Sequence, residues 1–224
     1  MNISIITPIL NEAAQLPDLL EHLLACKRAG CEIILVDGGS QDKSPEQAEA
    51  LGFRVVRTEK GRAVQMNAGA KCASGEVLLF LHADTRLPEN ADHIIKNALK
   101  DEHAQWGRFN VKITGQAFMF KVIAWFMNYR SRLSSIVTGD QAIFIRRSLF
   151  EKIGGFPVQA LMEDIEFSKR LKGLCKPVVL TEKVLTSGRR WEQKGIWNTI
   201  FLMWSLRFAY WRGASSDQLA TRYR

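Results

Sequence analysis

VLLFLHADTRLPEN, residues 77–90, is the stretch on which the fold turns. An apolar run, Val77 to Leu81, stops abruptly at His82-Ala83-Asp84-Thr85-Arg86, and Leu87-Pro88 follows before polar sequence resumes. A short continuous apolar run of this kind reads as a buried strand. In an open parallel α/β sheet the ligand crevice lies beyond the carboxyl ends of the strands, so an acid at a strand end stands in a ligand position.

Working outward, the same arrangement recurs upstream. Residues 3–7 (ISIIT), 32–36 (EIILV) and 53–56 (FRVV) read as strands. Between them, Leu16, Leu19, Leu20, Leu23 and Leu24 recur at helical spacing, and helices are also expected over about 44–51 and 62–73. Strands that read as unbroken apolar runs and alternate with helices predict a mostly parallel central sheet covered on both faces. The second half is less regular. Trp106 to Ile113 alternates like an exposed edge strand, 117–129 is aromatic and helical, and 141–145 and 178–180 read as strands. A helix is expected over about 163–171 and a final apolar one over 196–211. With no repeat or flexible linker, the expectation is one α/β domain of two fused halves, 1–105 and 106–224.

The chain's 224 residues, 46% hydrophobic and 24% charged, are enough for one full core. Its formal charge of +8 favours an anionic partner: a phosphate-bearing small molecule, an acidic lipid surface or nucleic acid. Nucleic acid ranks last, because the basic residues are scattered and no recognised module is present. Cys26, Cys31, Cys72 and Cys175 form no C-x-x-C pair, which predicts reduced thiols rather than a zinc site or disulfides. Residues 1–10 show no basic leader or cleavage site and run straight into a strand, so the expected location is cytoplasmic.

Four polar clusters fall at the rim of this predicted sheet: Pro8 to Glu12, Asp37 to Asp42, Lys60-Gly61-Arg62 and His82-Ala83-Asp84. Each has a bland reading. Asn11 could cap a helix, Asp37-Gly38-Gly39-Ser40 could be a tight turn, Arg62 could be a solvated helix start, and Asp84 could open an Asx turn. Their recurrence at one rim outweighs four separate accidents. The spacing also excludes two rivals. G-x-G-x-x-G is missing after the first strand, where Pro8-Ile9-Leu10-Asn11-Glu12 stands, and G-x-x-x-x-G-K-[ST] is absent.

What remains resembles the family 2 glycosyltransferases of the GT-A fold. The carriers are T-P-x-x-N-E at the first strand end, V-D-G-G-S-x-D at the second, G-R-x-x-x-x-N-A-G over Gly61 to Gly69, and a D-x-D-like motif after the fourth. Gly139-Asp140-Gln141, Glu163-Asp164 and Arg190-Trp191 resemble that family's acceptor-side elements, so the likeness runs over nearly the whole chain. The motif after the fourth strand is His82-Ala83-Asp84, leaving Asp84 as its acid. Ser187 stands where processive members carry Gln, which implies transfer of a single sugar.

The resemblance implies a nucleotide-diphosphate sugar donor, UDP- or GDP-linked, and a divalent cation, Mn²⁺ or Mg²⁺, at Asp84. Donor contacts are implied for Pro8, Asn11, Glu12, Asp37, Gly39, Asp42, Gly61, Arg62, Asn67, Ala83, Asp84, Arg190 and Trp191, and acceptor contacts for Gly139, Asp140 and Gln141. It also implies inverting transfer, with Asp164 as general base supported by Glu163, and partial burial between Trp191 and Phe156 would make such an acid more basic. Two alternatives stand beside this: a sugar-phosphate nucleotidyltransferase, which would show a glycine-rich basic loop after the first strand, and a sensor that binds without turnover. The 196–211 helix, crowded with Trp and Phe and flanked by Arg and Lys, would suit the inner face of a membrane and a lipid-linked acceptor. The same residues would equally close the core or a homodimer interface.

Overall fold

The computed structural model describes residues 1–223. Its centre is built from the apolar runs read above. β1 (Ile3–Ile9), β2 (Glu32–Asp37), β3 (Arg54–Arg57) and β4 (Val77–Phe80) are parallel and lie in the order β3-β2-β1-β4. The helices α1 (Leu16–Arg28), α2 (Ser44–Ala50) and α3 (Arg62–Cys72) connect them. Successive side chains of a strand face opposite sides. Ile3 and Ile5 of β1 therefore meet Leu16, Leu19 and Leu20 of α1, while Ile6 meets Ala63, Met66 and Ala70 of α3. Burial on both faces is why β1, β2 and β4 carry no polar stripe, whereas β3, at the sheet edge, exposes Arg54 and Arg57; each fully buried Ile or Leu contributes about 1.5–3 kcal/mol.

Beyond β4 the sheet continues through β5 (Thr85–Arg86), β6 (Trp106–Ile113), β7 (Ile143–Arg146) and β8 (Val178–Thr186), giving eight strands ordered β3-β2-β1-β4-β7-β6-β8-β5. β7 runs antiparallel to both β4 and β6, and β5 antiparallel to β8, so six of the eight strands share one direction. The reversal at β7 has a consequence for the site. Phe80, at the carboxyl end of β4, pairs with Ile143 at the start of β7. The 3-10 turn Gly139–Gln141 that precedes β7 is thereby delivered to the same rim as the ends of β1, β2 and β4.

Four expectations need correction. β6 is not an edge strand: it lies between β7 and β8, and its polar alternate Arg108 is fully buried. That guanidinium donates to the backbone carbonyls of Phe109 (3.1 Å) and Asn128 (3.0 Å) and to the Asn110 side chain, which lets a charge sit where the pattern suggested water. The strand read over 141–145 begins at Ile143, after the 3-10 turn. The strand read over 178–180 extends to Thr186, its exposed Thr181, Glu182 and Lys183 hiding the continuation. Finally, the apolar helix read over 196–211 meets the main core only through the partly buried Ile196 and Ile200.

The remaining helices are α4 (Ala91–Ala98), α5 (Phe118–Ser134), α6 (Arg147–Lys152), α7 (Glu163–Lys172), α8 (Arg189–Lys194), α9 (Ile196–Trp211) and α10 (Ser216–Tyr223). A small separate cluster of Met162, Ile165, Leu206 and Leu219 ties α7, α9 and α10 together. Only Thr199 and Leu206 of α9 are buried, and Trp197, Phe201, Trp204, Phe208 and Trp211 point outward. No described helix is long and apolar enough to cross a membrane. All four cysteines are free thiols.

Candidate active site

The loops after β1 and β2 are laced to each other. Asn11 adopts a left-handed backbone (φ 55°), which Asn tolerates better than most residues, and its side-chain oxygen accepts the Gln41 N–H at 2.8 Å. In return the Asn11 N–H donates to the Ser40 hydroxyl (2.9 Å), the Glu12 N–H to the Ser44 hydroxyl (2.9 Å) and the Ala13 N–H to the Asp42 carboxylate (3.0 Å). Burial opposes ionisation of Asp42, but hydrogen bonds from Ser44 and the Ala13 N–H hold its carboxyl below the usual range. Asn11 therefore bridges two loops rather than capping α1, which starts at Leu16.

Asp37 is buried, and its carboxylate accepts the N–H groups of Gly39 (3.1 Å) and Ser40 (3.1 Å), which shapes the turn that Gly39 completes at φ 88°. Beneath it lies Gln65 of α3, whose Nε2 donates to the carbonyls of Ile9 (2.9 Å) and Val36 (2.7 Å) and so fixes the ends of β1 and β2. Sequence reasoning passed over Gln65. Its signal was a lone amide on a helix face otherwise apolar.

At the end of β4, His82, Asp84 and Asp140 each offer a ligand atom, and these atoms lie within 4.8 Å of one another. The His82 Nδ1 faces the Asp140 Oδ1 at 3.2 Å. The opposite edge of the ring lies over Gly139, where a Cβ would come under 3.0 Å from Cε1 and Nε2. Thr85, fully buried, can donate its hydroxyl to the Asp84 Oδ1 (3.2 Å), with the Thr186 hydroxyl of β8 at the same distance. Burial opposes ionisation of Asp140, but the His82 hydrogen bond and the charges of His82, Arg62 and Arg190 push its carboxyl below the ordinary value. Two carboxylates suit Mg²⁺ or Mn²⁺, and an imidazole nitrogen tilts the set toward the softer Mn²⁺. Asp140, expected beside the acceptor, thus stands in the cation group with Asp84. Glu12 faces the same rim, and burial and then Arg189 and Asp84 act on it with a net upward shift.

The acid pair opens α7. Glu163 is buried, with the Arg62 guanidinium 3.8 Å away, and burial followed by the charge of Asp164 raises its pKa. Asp164 is half-buried; its Oδ2 accepts the Gly139 N–H (3.1 Å) and its Oδ1 the Ile165 N–H (2.7 Å). One hydrogen bond therefore links the acid pair to the turn that carries Asp140. Phe156, expected to help bury these acids, is itself a core residue, stacked on Phe167 with ring centroids 4.0 Å apart.

Arg190 is covered. Its guanidinium lies 3.7 Å above the Tyr223 ring of α10, donates to the Tyr223 hydroxyl and reaches the Tyr223 carbonyl at 3.3 Å. Nothing in the sequence flagged Tyr223. Several expected contact residues also make scaffold contacts. Asn67 clamps the backbone of Phe156 through both ends of its amide (2.8 and 2.9 Å), and Gln141 is fully buried against Ser131 (3.0 Å). The Ala83 carbonyl accepts from Arg86 (2.9 Å). Trp191 packs half-buried against the core, Gly61 precedes α3 at φ 153°, and Pro8 lies in β1 opposite Val36.

Comparison with known proteins places these observations. The model of the Glycosyl transferase family 2 matches residues 4–154, the span from β1 to the turn after α6. A PGL/p-HBAD biosynthesis glycosyltransferase of Mycobacterium bovis is 34% identical over 176 residues, covering 75% of this chain and 68% of that protein. Among solved structures, S. aureus TarS 1-349 superposes with a TM-score of 0.67 at 20% identity over 84% of this chain and 61% of its own, and has been crystallised with UDP-GlcNAc. The mannosyltransferase PcManGT of Pyrobaculum calidifontis, solved with GDP-Man and Mn²⁺, gives 0.63 at 19% identity over 99% of this chain and 68% of its own. At these identities the structural likenesses establish the shared fold.

Proposed function

The chain belongs to glycosyl transferase family 2, and from that premise we propose that it moves one sugar from a nucleotide-diphosphate sugar to an acceptor hydroxyl, with inversion at the anomeric carbon. The observation that carries this reading is the meeting of His82, Asp84 and Asp140 within 4.8 Å at the sheet rim, with Asp164 hydrogen-bonded to the turn that holds Asp140. Membership of this family replaces the nucleotidyltransferase alternative.

The laced loops after β1 and β2 form the floor for the nucleoside, presenting Pro8, Glu12 and Gly39 there. Asp37 and Asp42 shape that floor rather than face the ligand, since their carboxylates are engaged by loop N–H groups. His82, Asp84 and Asp140 would hold Mn²⁺ or Mg²⁺, which supplies positive charge against the diphosphate as it leaves. Arg62 at the start of α3, and Arg190 once Tyr223 moves aside, add charge from the protein side. Asp164 takes the proton of the acceptor hydroxyl. It is half-exposed and each carboxylate oxygen keeps a free lone pair beyond its one N–H contact, whereas Glu163 is too buried to meet a substrate. The hydroxyl oxygen bonds to the anomeric carbon as the diphosphate departs from the opposite face, which inverts the centre. UDP and GDP are both candidates, as the relatives crystallised with UDP-GlcNAc and GDP-Man illustrate. A lipid-linked acceptor at a membrane's inner face is the reading for the second half.

The test combines binding with turnover. Mn²⁺ with UDP or GDP should stabilise the wild type thermally, and Asp84→Asn should abolish the metal-dependent part. Asp164→Asn should lower transfer by about 10²–10⁴-fold with donor affinity nearly unchanged. Loss of nucleotide affinity in step with activity, or a product that keeps the donor's anomeric configuration, would overturn the assignment.

A further inference from the structure

β8 is separated from β4 in the sheet by β7 and β6, yet its carboxyl end comes back to the cation group. The reason is β5. It starts on the residue after Asp84 and pairs with β8, Thr85 lying opposite Thr186. The Ser187 N–H then donates to the Asp84 carbonyl (3.1 Å), and the Ser187 hydroxyl accepts the N–H of Arg189 (3.2 Å). The start of α8 therefore hangs from the backbone of an acid of the cation group.

Arg189 and Arg190, the first two residues of α8, part from there. Arg190 turns to Tyr223, whose ring and hydroxyl hold it. Arg189 is exposed, and among the described residues its guanidinium has no hydrogen bond and no acid within 4.0 Å. Arg62 and Arg86, on the same rim, are already engaged: the first lies 3.8 Å from Glu163, and the second donates to the carbonyls of Ala83 and Thr85. Local structure does not account for Arg189 either, since a cation in the first turn of a helix opposes the positive end of its dipole.

Glu12 shows where that free charge points. After burial, Arg189 acts on Glu12 more strongly than Asp84, Asp42 or Arg62 does. Charge interactions fall with distance, so the guanidinium reaches the loop after β1 although its backbone is tethered at Asp84. An arginine turned out into solvent would have no such reach. Its charge thus spans the gap between the nucleoside floor and the cation group. The diphosphate of a bound donor has to lie in that gap, because it joins the nucleoside at one end and shares the cation with the acids. A guanidinium fork matches phosphate oxygens in geometry and stays charged throughout the physiological pH range.

We propose that Arg189 binds the donor's diphosphate, crossing from the cation group to the nucleoside floor, and that it does so while Tyr223 still holds Arg190. This rests on the glycosyl-transfer reading, since it assigns a further residue to that donor site.

The test is calorimetric titration of the full chain with UDP and GDP in the presence of Mn²⁺, set beside NMR titration with uridine and guanosine, which reads weak binding. Arg189→Gln should weaken the diphosphate that binds about tenfold or more and leave the matching nucleoside within about twofold of wild type. Arg189→Lys keeps the charge without the fork and should lie between wild type and Arg189→Gln. Rising salt should narrow the difference between wild type and Arg189→Gln, because the contact is exposed. Without ligand, Tm should not fall in either variant, since the side chain has no partner to lose, and a lost affinity is then not a lost fold. Unchanged diphosphate affinity in Arg189→Gln, or nucleoside affinity that falls as far as diphosphate affinity, would overturn the proposal. So would weaker Mn²⁺ binding measured without nucleotide, which puts the effect at the Asp84 tether. A wild type that binds nucleoside diphosphate with no contribution from Arg189 sinks this inference alone, and one that binds no nucleotide sinks the reading beneath it as well.

Discussion

Gly139→Ala probes the junction between the cation group and the acid pair. The added methyl would lie under 3.0 Å from the Cε1 and Nε2 of His82, where carbon contacts settle at about 3.5–4.0 Å. The ring must therefore move by roughly an ångström, because the Gly139 backbone that carries the methyl cannot recede without dragging the 3-10 turn. A shift of that size breaks the 3.2 Å contact between His82 and Asp140 and spreads the three ligand atoms. Overpacking should cost about 1–3 kcal/mol. For a chain of this length that is about 2–12 °C in Tm. Disturbing the support of a metal ligand should lower Mn²⁺ affinity about 10–100-fold, measured as free Mn²⁺ by electron paramagnetic resonance in the presence of UDP or GDP. His82→Ala restores room for the methyl, so the double variant should be more stable than the sum of the two single effects predicts. Wild-type Mn²⁺ affinity in Gly139→Ala, or strict additivity in the double variant, would refute this account of the junction.

Tyr223→Ala uncovers Arg190, and since a cation over an aromatic ring contributes about 0.5–2 kcal/mol, nucleoside diphosphate affinity should rise between about 2-fold and 30-fold. Calorimetric titration reads this, and weaker binding would mean that Tyr223 belongs to the donor site rather than masking it. Glu163→Gln tests the buried acid through pH. Burial and then Asp164 raise the Glu163 pKa above 4.5, so the fold binds that proton more tightly than the unfolded chain does. The stabilisation is fully present below 4.5 and is lost as pH rises through the folded value. The Tm of Glu163→Gln relative to wild type should therefore improve steadily as pH rises from acid to neutral, and a pH-independent difference would contradict the shift.

The half of the site that was legible in the sequence is the half whose positions follow from local rules. Pro8 to Glu12, Asp37 to Asp42 and Asp84 fall at the rim because each ends an apolar run, and parallel neighbours must all end on one side. Asp140 could not be placed that way. It reaches Asp84 because β7 runs backwards between β4 and β6, a choice of sheet order that no nearby residue announces. Arg108 misled for the opposite reason: a polar alternate normally marks water, but here backbone carbonyls replace it. Asp37 stands at the rim because an acid ends the strand there, but that the N–H groups of its own turn would also bind its carboxylate is a matter of turn geometry that spacing alone does not show. Tyr223 has no local signature, since its role depends on α10 folding back across the molecule.

The lacing of the first two loops also bears on how the chain folds. The bonds joining Asn11, Glu12 and Ala13 to Ser40, Gln41, Asp42 and Ser44 span 29 to 32 residues. The loop after β2 has local bonds of its own through Asp37 and Asp42, but the bonds that join it to the loop after β1 cross between strands, so the proposed nucleoside floor is complete only when β1 and β2 pair in register. Closing such a loop carries its entropy loss before the contacts repay it. The floor is thus a late and all-or-none product of folding, and a chain caught with its helices formed but β1 and β2 unpaired would already be blind to its donor.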